Sequence, residues 1–190
     1  MIVGLTGKNA AGKGETAKYL QKKGFIYYSL SDVIREEATK RGIEYSRDNL
    51  IKLGNELREK FGSSYLAKEI NKKIISDKKK FNKIFFVVDS IRNPYEAREL
   101  MENKDFILVG ISAPIELRFE RLLKRNRLGD AKTLDEFKQQ EQRENLKKDT
   151  NQQLDETFKL AEVTIINDNS LEELYKKMDV LLKKVKTRFV

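Results

Sequence analysis

The stretch Gly7-Lys8-Asn9-Ala10-Ala11-Gly12-Lys13-Gly14 sets two glycines five residues apart and puts a lysine directly after the second. Glycines let a chain wrap tightly enough for several amide N–H groups to point inward, and a helix that starts at once adds the positive end of its dipole. The chemistry this serves is grip on phosphate oxygens, with the Lys13 ammonium reaching the β- and γ-phosphates of a nucleotide. Such a match arises by chance in other contexts, where it is only a strand-to-helix turn carrying a surface lysine. Here it directly follows the apolar run Ile2–Leu5 and opens a helical pattern, as the motif requires. A hydroxyl that binds Mg²⁺ usually follows the lysine. This chain has Gly14, then Glu15 and Thr16. The expectation is that Mg²⁺ is held mainly through phosphates and water, and that Glu15, which would repel phosphate, points away.

Three more clusters suit phosphoryl chemistry. In "SLSDVIRE", Asp32 and Arg35 are three apart at a helix start and share one side of it. In "FFVVDSIRNPYEA", an apolar strand ends in Asp89, an acidic group able to orient Mg²⁺ through water, and Arg92 follows. In "ELRFERLLKRNRLGD", Arg118, Arg121 and Arg125 recur along one helix face with Arg127 just beyond. Guanidinium groups on a closing flap stabilise the charge of a phosphoryl transition state and exclude water; Arg121 and Arg125 are the first candidates, and Arg143 is a further one from the next helix. Each cluster also has a plainer reading: an N-cap with a surface arginine, a turn aspartate, a solvated basic face.

The elements that must position these groups alternate. Short apolar, β-branched or aromatic runs predict strands at Ile2–Leu5, Phe25–Ser29, Lys83–Asp89, Phe106–Ser112 and Val163–Ile166. Helical patterns fall at Lys13–Lys22, Asp32–Arg41, Arg47–Lys60, Ser64–Ser76, Tyr95–Asn103, Pro114–Arg125, Leu134–Asp149, Asn151–Leu160 and Leu171–Lys186, with caps at Ser31-Asp32, Ser46, Thr133 and Asn169-Ser170. Near-continuous apolar strands imply a sheet covered on both faces, an open and mostly parallel α/β sheet. No repeat, low-complexity linker or domain boundary is visible. Two helical stretches, roughly 31–80 and 114–160, interrupt the alternation and read as insertions on a single core spanning 1–190.

Composition narrows the chemistry. With 190 residues and no cysteine, there is no disulfide framework and no thiolate, which suits a cytoplasmic setting. The absence of histidine removes the commonest general base and transition-metal ligand, so zinc-hydrolase and serine-triad readings start badly. Nothing resembles a signal peptide or a membrane span. The net charge of +9 is spread over helical faces among glutamates, as in "REEATKRG", and reads first as a solvated surface.

The phosphate loop resembles that of adenylate kinases and other nucleoside monophosphate kinases, which commonly continues Gly-Lys-Gly-Thr; Glu15 stands in the slot of that threonine. "SLSDVIRE" is similar to their Thr-Gly-Asp-x-x-x-Arg segment, whose arginine holds the acceptor's phosphate. It is also similar to the Asp-x-Asp region of dephospho-coenzyme A kinases, where an aspartate lies near the attacking hydroxyl. Asp89 and Arg92 resemble a strand-end Asp-Gly-x-x-Arg with one residue fewer, and Glu96 would match a glutamate of phage deoxynucleoside monophosphate kinases. "IINDNSLEEL" resembles the last strand and loop of dephospho-coenzyme A kinases, which would bring Asn167 near the donor's adenine. The resemblance runs from Met1 to about Leu182. It implies a P-loop NTPase three-layer α/β/α fold with an acceptor-binding insertion at 31–80 and a lid with following helices at 114–160.

The resulting expectation is a small P-loop kinase using ATP and Mg²⁺. Donor phosphates lie on Gly7, Lys8, Asn9, Ala10, Ala11, Gly12, Lys13, Gly14, Glu15 and Thr16, and the acceptor phosphate lies on Arg35 and Arg92 beside Asp32. Asp89 holds metal through water, and Arg121 and Arg125 act from the lid. Two separated arginines suit a nucleoside or deoxynucleoside monophosphate; dephospho-coenzyme A is the alternative, with Asp32 taking the hydroxyl proton. Tyr45, Asn55, Arg58 and Tyr65 are guesses for the acceptor's pocket. A non-catalytic ATP-binding protein associated with RNA is the competing class, on the strength of Gly14 and the basic surface; a membrane-surface role resting on Leu171–Lys186 is third.

Overall fold

In the computed structural model, residues 1–81, 85–126, 129–143 and 149–188 are described. Five strands, β1 (Ile2–Thr6), β2 (Phe25–Ser29), β3 (Phe85–Asp89), β4 (Phe106–Ser112) and β5 (Val163–Ile166), form one parallel sheet in the order β2-β3-β1-β4-β5. The parallel, doubly covered sheet expected from the apolar runs is present. Residues 82–84, which include the first two positions of the expected strand Lys83–Asp89, lie outside the described residues, as do Arg127 and the 144–148 part of the expected helix Leu134–Asp149.

Alternation along each strand supplies two cores. Ile2, Phe86, Val88, Phe106 and Leu108 face one side and pack with Leu30, Leu57, Leu66 and Ile70. Val3, Leu5, Val87, Ile107 and Val109 face the other and pack with Leu20, Leu174 and Met178. One face is thus covered by α1 (Lys13–Lys22) and α9 (Leu171–Arg188). The other carries α2 (Leu30–Lys40), α3 (Arg47–Phe61), α4 (Tyr65–Lys80) and α5 (Pro94–Met101). A satellite cluster of Leu122, Ala131 and Phe137 joins α6 (Ile115–Arg125) to α7 (Leu134–Arg143) and touches Ala10 of the glycine loop.

Five helix starts differ from the sequence reading; α4 and α6 begin one residue later, after Ser64 and Pro114 as caps, and the other three each have a local reason. α2 begins at Leu30, because Ser29 at the end of β2 is the cap and its Oγ accepts the Ser31 amide at 3.2 Å. α5 begins at Pro94, capped by Asn93, whose Oδ1 accepts the Tyr95 amide. α8 (Leu154–Lys159) starts later than Asn151, because the preceding backbone is used elsewhere: Asn93 Nδ2 donates to the Asp149 and Asn151 carbonyls, and the Gln153 amide donates to the Arg92 carbonyl. That segment is pinned to the loop after β3. Since all strands run the same way, the loops after β1 to β5 emerge at one edge, where β1 lies between β3 and β4 and the chain changes its direction of growth. In open sheets ligands bind at that crevice.

Candidate active site

The glycine loop fills the crevice. Gly7 has φ +136° and Gly12 +112°, and a Cβ at Gly7 would stand 2.1 Å from the Ile111 carbonyl oxygen. At Gly12 it would stand 2.3 Å from Asn167 Nδ2. Both positions therefore demand glycine on conformation and on space. Lys13 Nζ donates to the Gly7 and Lys8 carbonyls at 2.6 and 2.9 Å, folding its ammonium back over the loop. Gly14 differs: nothing lies within 4 Å of a Cβ placed there, so the missing hydroxyl is not a steric necessity. Thr16 is buried with its hydroxyl bonded back to the Gly12 carbonyl at 3.1 Å, and Glu15 pairs with Lys18 at 2.8 Å along the outer face of α1.

The remaining clusters meet the loop from different elements. A cavity of about 150 Å³ is lined by Gly7, Asn9 and Lys13 together with Arg35 (α2), Arg47 (α3), Arg92 and Gln152. Arg92 Nη1 donates to Gln152 Oε1 at 3.3 Å. Asp32 does not itself line the cavity; its carboxylate lies 2.6 Å from Nη1 of Arg35, which does. Asp89 ends β3 opposite Ser29, and its Oδ1 accepts the Ser90 amide at 2.6 Å. Burial, then the Asp89 charge, push the Tyr27 hydroxyl above its ordinary pKa, with Asp32 adding to the effect. The two carboxylates therefore share one neighbourhood. Among the described residues there is no group of three metal-ligating side chains, so a cation here would depend on phosphate and water for most of its ligands.

On the other flank, Asn167 underpins the loop. Its Nδ2 donates to the Ala11 carbonyl at 2.9 Å, and its own carbonyl accepts Arg121 Nη2 at 3.0 Å. Arg121 Nη1, Asn9 Nδ2 and Asn167 Oδ1 are buried with no hydrogen-bond partner, a set of polar atoms around the loop that fits a polar ligand. Arg118 is a strut: buried, paired with Glu141, and donating to the carbonyls of Ala113 (3.0 Å) and Asn9 (3.3 Å). Arg125 grips Asp130 through two bonds of 2.9 and 2.8 Å and does not line the cavity.

Of the pocket guesses, Tyr45 and Asn55 line a second, larger cavity, as does Arg143. Tyr65 stacks on Phe61, and Arg58 is buried against Glu96. Sequence reasoning missed Arg47 and Gln152. Arg47 follows the cap Ser46, where an arginine reads as ordinary helix surface, and nothing marks Gln152 without its contact to Arg92.

A family model described as an AAA domain matches residues 6–138. A UPF0200 protein of Pyrococcus abyssi is 35% identical over 188 residues, covering 97% of each chain. The chain belongs to the UPF0200 family of AAA-domain proteins. A UPF0200 protein of Pyrococcus horikoshii is 32% identical with the same coverage. An Archaeoglobus fulgidus UPF0200/UPF0201 protein is 34% identical and longer, this UPF0200 chain spanning 55% of it. Among solved structures, TT1252 of Thermus thermophilus superposes with a TM-score of 0.61 at 20% identity, covering 97% of both chains. Acinetobacter baumannii shikimate kinase gives 0.57 at 15%, covering 96% of this chain and 93% of that one. A Sinorhizobium meliloti gluconokinase gives 0.52 at 13%, covering 98% and 94%. The fold is that of P-loop small-molecule kinases. No described helix is long and apolar enough to cross a membrane.

Proposed function

We propose that this UPF0200 protein transfers a phosphoryl group from ATP to a small phosphate-bearing acceptor, first a nucleoside or deoxynucleoside monophosphate. The observation that carries the reading is the convergence of Arg35, Arg47 and Arg92 with Lys13 and the loop around one small cavity. Three guanidinium groups beside a phosphate loop balance two sets of phosphate oxygens brought together for reaction.

In this mechanism the loop amides and Lys13 hold the donor's β- and γ-phosphates, Lys13 exchanging two carbonyls for phosphate oxygens. Arg35, Arg47 and Arg92 hold the acceptor's phosphate, and Asp32 and Gln152 fix the planes of Arg35 and Arg92. An acceptor phosphate oxygen attacks the γ-phosphorus in line, the bond to the β–γ bridging oxygen breaks, and ADP leaves. Positioning and charge neutralisation lower the barrier, so a chain without histidine suffices. Mg²⁺, which Asp89 would hold through water, supplies further neutralisation of the phosphate charge when bound. Arg121 and Arg125 act from the lid, Arg125 giving up Asp130 on closure.

A second reading, dephospho-coenzyme A kinase, is favoured by Asp32, whose carboxylate, held by the cavity-lining Arg35, would take the proton of an attacking hydroxyl. The deciding assay is transfer from labelled ATP·Mg²⁺ to AMP, CMP, the deoxynucleoside monophosphates and dephospho-coenzyme A. Turnover with one of them supports the kinase and names its acceptor. No product from any of them sinks the enzyme reading.

A further inference from the structure

The phosphate cavity adjoins the larger one, of about 480 Å³; Arg47, Ile51 and Gln152 line both. That volume suits the organic body of a small ligand whose phosphate occupies the smaller space. The far walls come from α3, through Lys52 and Asn55, and from α7, through Gln140 and Arg143. Among the lining residues Asp48 is the one carboxylate, against three cations.

Arg143 is unlike the other arginines whose side chains are described. Arg35, Arg41, Arg58, Arg118 and Arg125 each hold a carboxylate. Arg92 and Arg121 hold amide oxygens, Arg98 lies over the Tyr95 ring, and Arg47 is also engaged. Among the described residues Arg143 has no such partner. Gln140, one turn earlier on the same helix, has its Oε1 buried and unbonded, an acceptor in want of a donor such as a hydroxyl. A guanidinium and an ammonium facing a shared cavity whose three lining cations outnumber its one carboxylate are complementary to an anion.

We infer that the acceptor carries a second anionic group, besides the phosphate held by Arg35, Arg47 and Arg92, and that Arg143 and Lys52 bind it across the larger cavity. The inference rests on the acceptor reading above and narrows it. The class is a hydroxylated body with two anionic groups, of which a nucleoside bisphosphate is the simplest example; a plain monophosphate fills the phosphate-binding part of the site alone and is the weaker acceptor.

The test is calorimetric binding of AMP, adenosine 2′,5′-bisphosphate and adenosine 3′,5′-bisphosphate to the full chain, with the glycine loop saturated by a non-hydrolysable ATP analogue and Mg²⁺. The better bisphosphate should bind about tenfold or more tightly than AMP. Arg143→Ala combined with Lys52→Ala should erase most of that gap while AMP affinity stays within about twofold. Arg98→Ala, outside both cavities, should leave the gap intact. Equal affinities in the wild type, or a gap that survives the double substitution, would overturn the inference while leaving the kinase reading standing. Failure of all three ligands to bind would instead remove the acceptor site itself, and the inference with it.

Discussion

Arg58 and Glu96 form a buried ion pair between α3 and α5, with Nη2 at 2.7 Å and Nε at 2.8 Å from one carboxylate oxygen. The other oxygen lies 3.4 Å from the Arg92 amide, and Arg58 Nη1 reaches Asn55 Oδ1 and the Thr150 carbonyl, both at 3.4 Å. One guanidinium therefore ties together α3, the loop bearing Arg92 and the segment bearing Gln152. Removing one partner of such a pair leaves a buried charge and costs about 3–5 kcal/mol. Arg58→Met should lose that much in urea unfolding. The double variant Arg58→Met/Glu96→Leu should be more stable than either single variant. Additive losses would show that the pair is not coupled.

The three glycines of the loop should respond differently to alanine. Gly12→Ala and Gly7→Ala force a side chain into the left-handed region, at about 1–2 kcal/mol each before any clash, and the clashes are with Asn167 and the Ile111 carbonyl. Gly14→Ala meets open space in the first turn of α1 and should gain up to about 1 kcal/mol. Thermal unfolding of the three variants separates these outcomes. A Gly14→Ala protein as damaged as Gly12→Ala would contradict the geometry.

Lys13→Ala should weaken binding of an ATP analogue by about 10–100-fold, the worth of one charge-assisted hydrogen bond. The wild type at 100 times its Kd should gain about 2.7 kcal/mol from the ligand, and the variant at the same concentration much less. Undiminished affinity would remove the phosphate role of the loop.

Arg92→Ala should raise the acceptor KM by about 10–100-fold and leave the KM for ATP nearly unchanged, because Arg92 makes no hydrogen bond to the loop and is held by Gln152, in the wall shared with the larger cavity. Steady-state kinetics with each substrate varied in turn gives the answer. Equal changes in both constants would place Arg92 on the donor side instead.

Stability should depend on Tyr28 at high pH. Burial, then the hydrogen bond to Asp77, push its hydroxyl up to about 12. The unfolded value is about 10, so the folded chain holds this proton more tightly. The stabilisation is complete below the unfolded pKa and is lost as pH rises towards the folded one. Wild type should therefore lose stability faster than Tyr28→Phe across that window in urea titrations. Parallel curves would show no such linkage.

Much of this arrangement is legible in the letters. Phe25–Ser29, Phe106–Ser112 and Val163–Ile166 are strands with the bounds their apolar runs suggest, because short β-branched runs have few other places to go. The glycine loop follows from Gly7, Gly12 and Lys13 at their spacing, and Arg35 and Arg92 do meet at one cavity. What the letters hide depends on partners far along the chain. Arg58 and Arg118 look like surface arginines until Glu96 and Glu141 arrive beside them. Arg121 and Arg125 share one helix and Arg143 ends the next, yet one meets Asn167, one Asp130 and one the larger cavity. Helical spacing says which residues share a face; it does not say what that face meets.

The bond from Asn167 to Ala11 joins positions 156 residues apart. The loop proposed to grip phosphate lies within Gly7–Gly14, but it is braced from just beyond β5. During synthesis the chain emerges from its amino end, so a ribosome-bound fragment ending before β5 would carry the whole loop and lack its underpinning. Nucleotide capture on the ribosome should therefore begin late, only after β5 and Asn167 have cleared the exit tunnel.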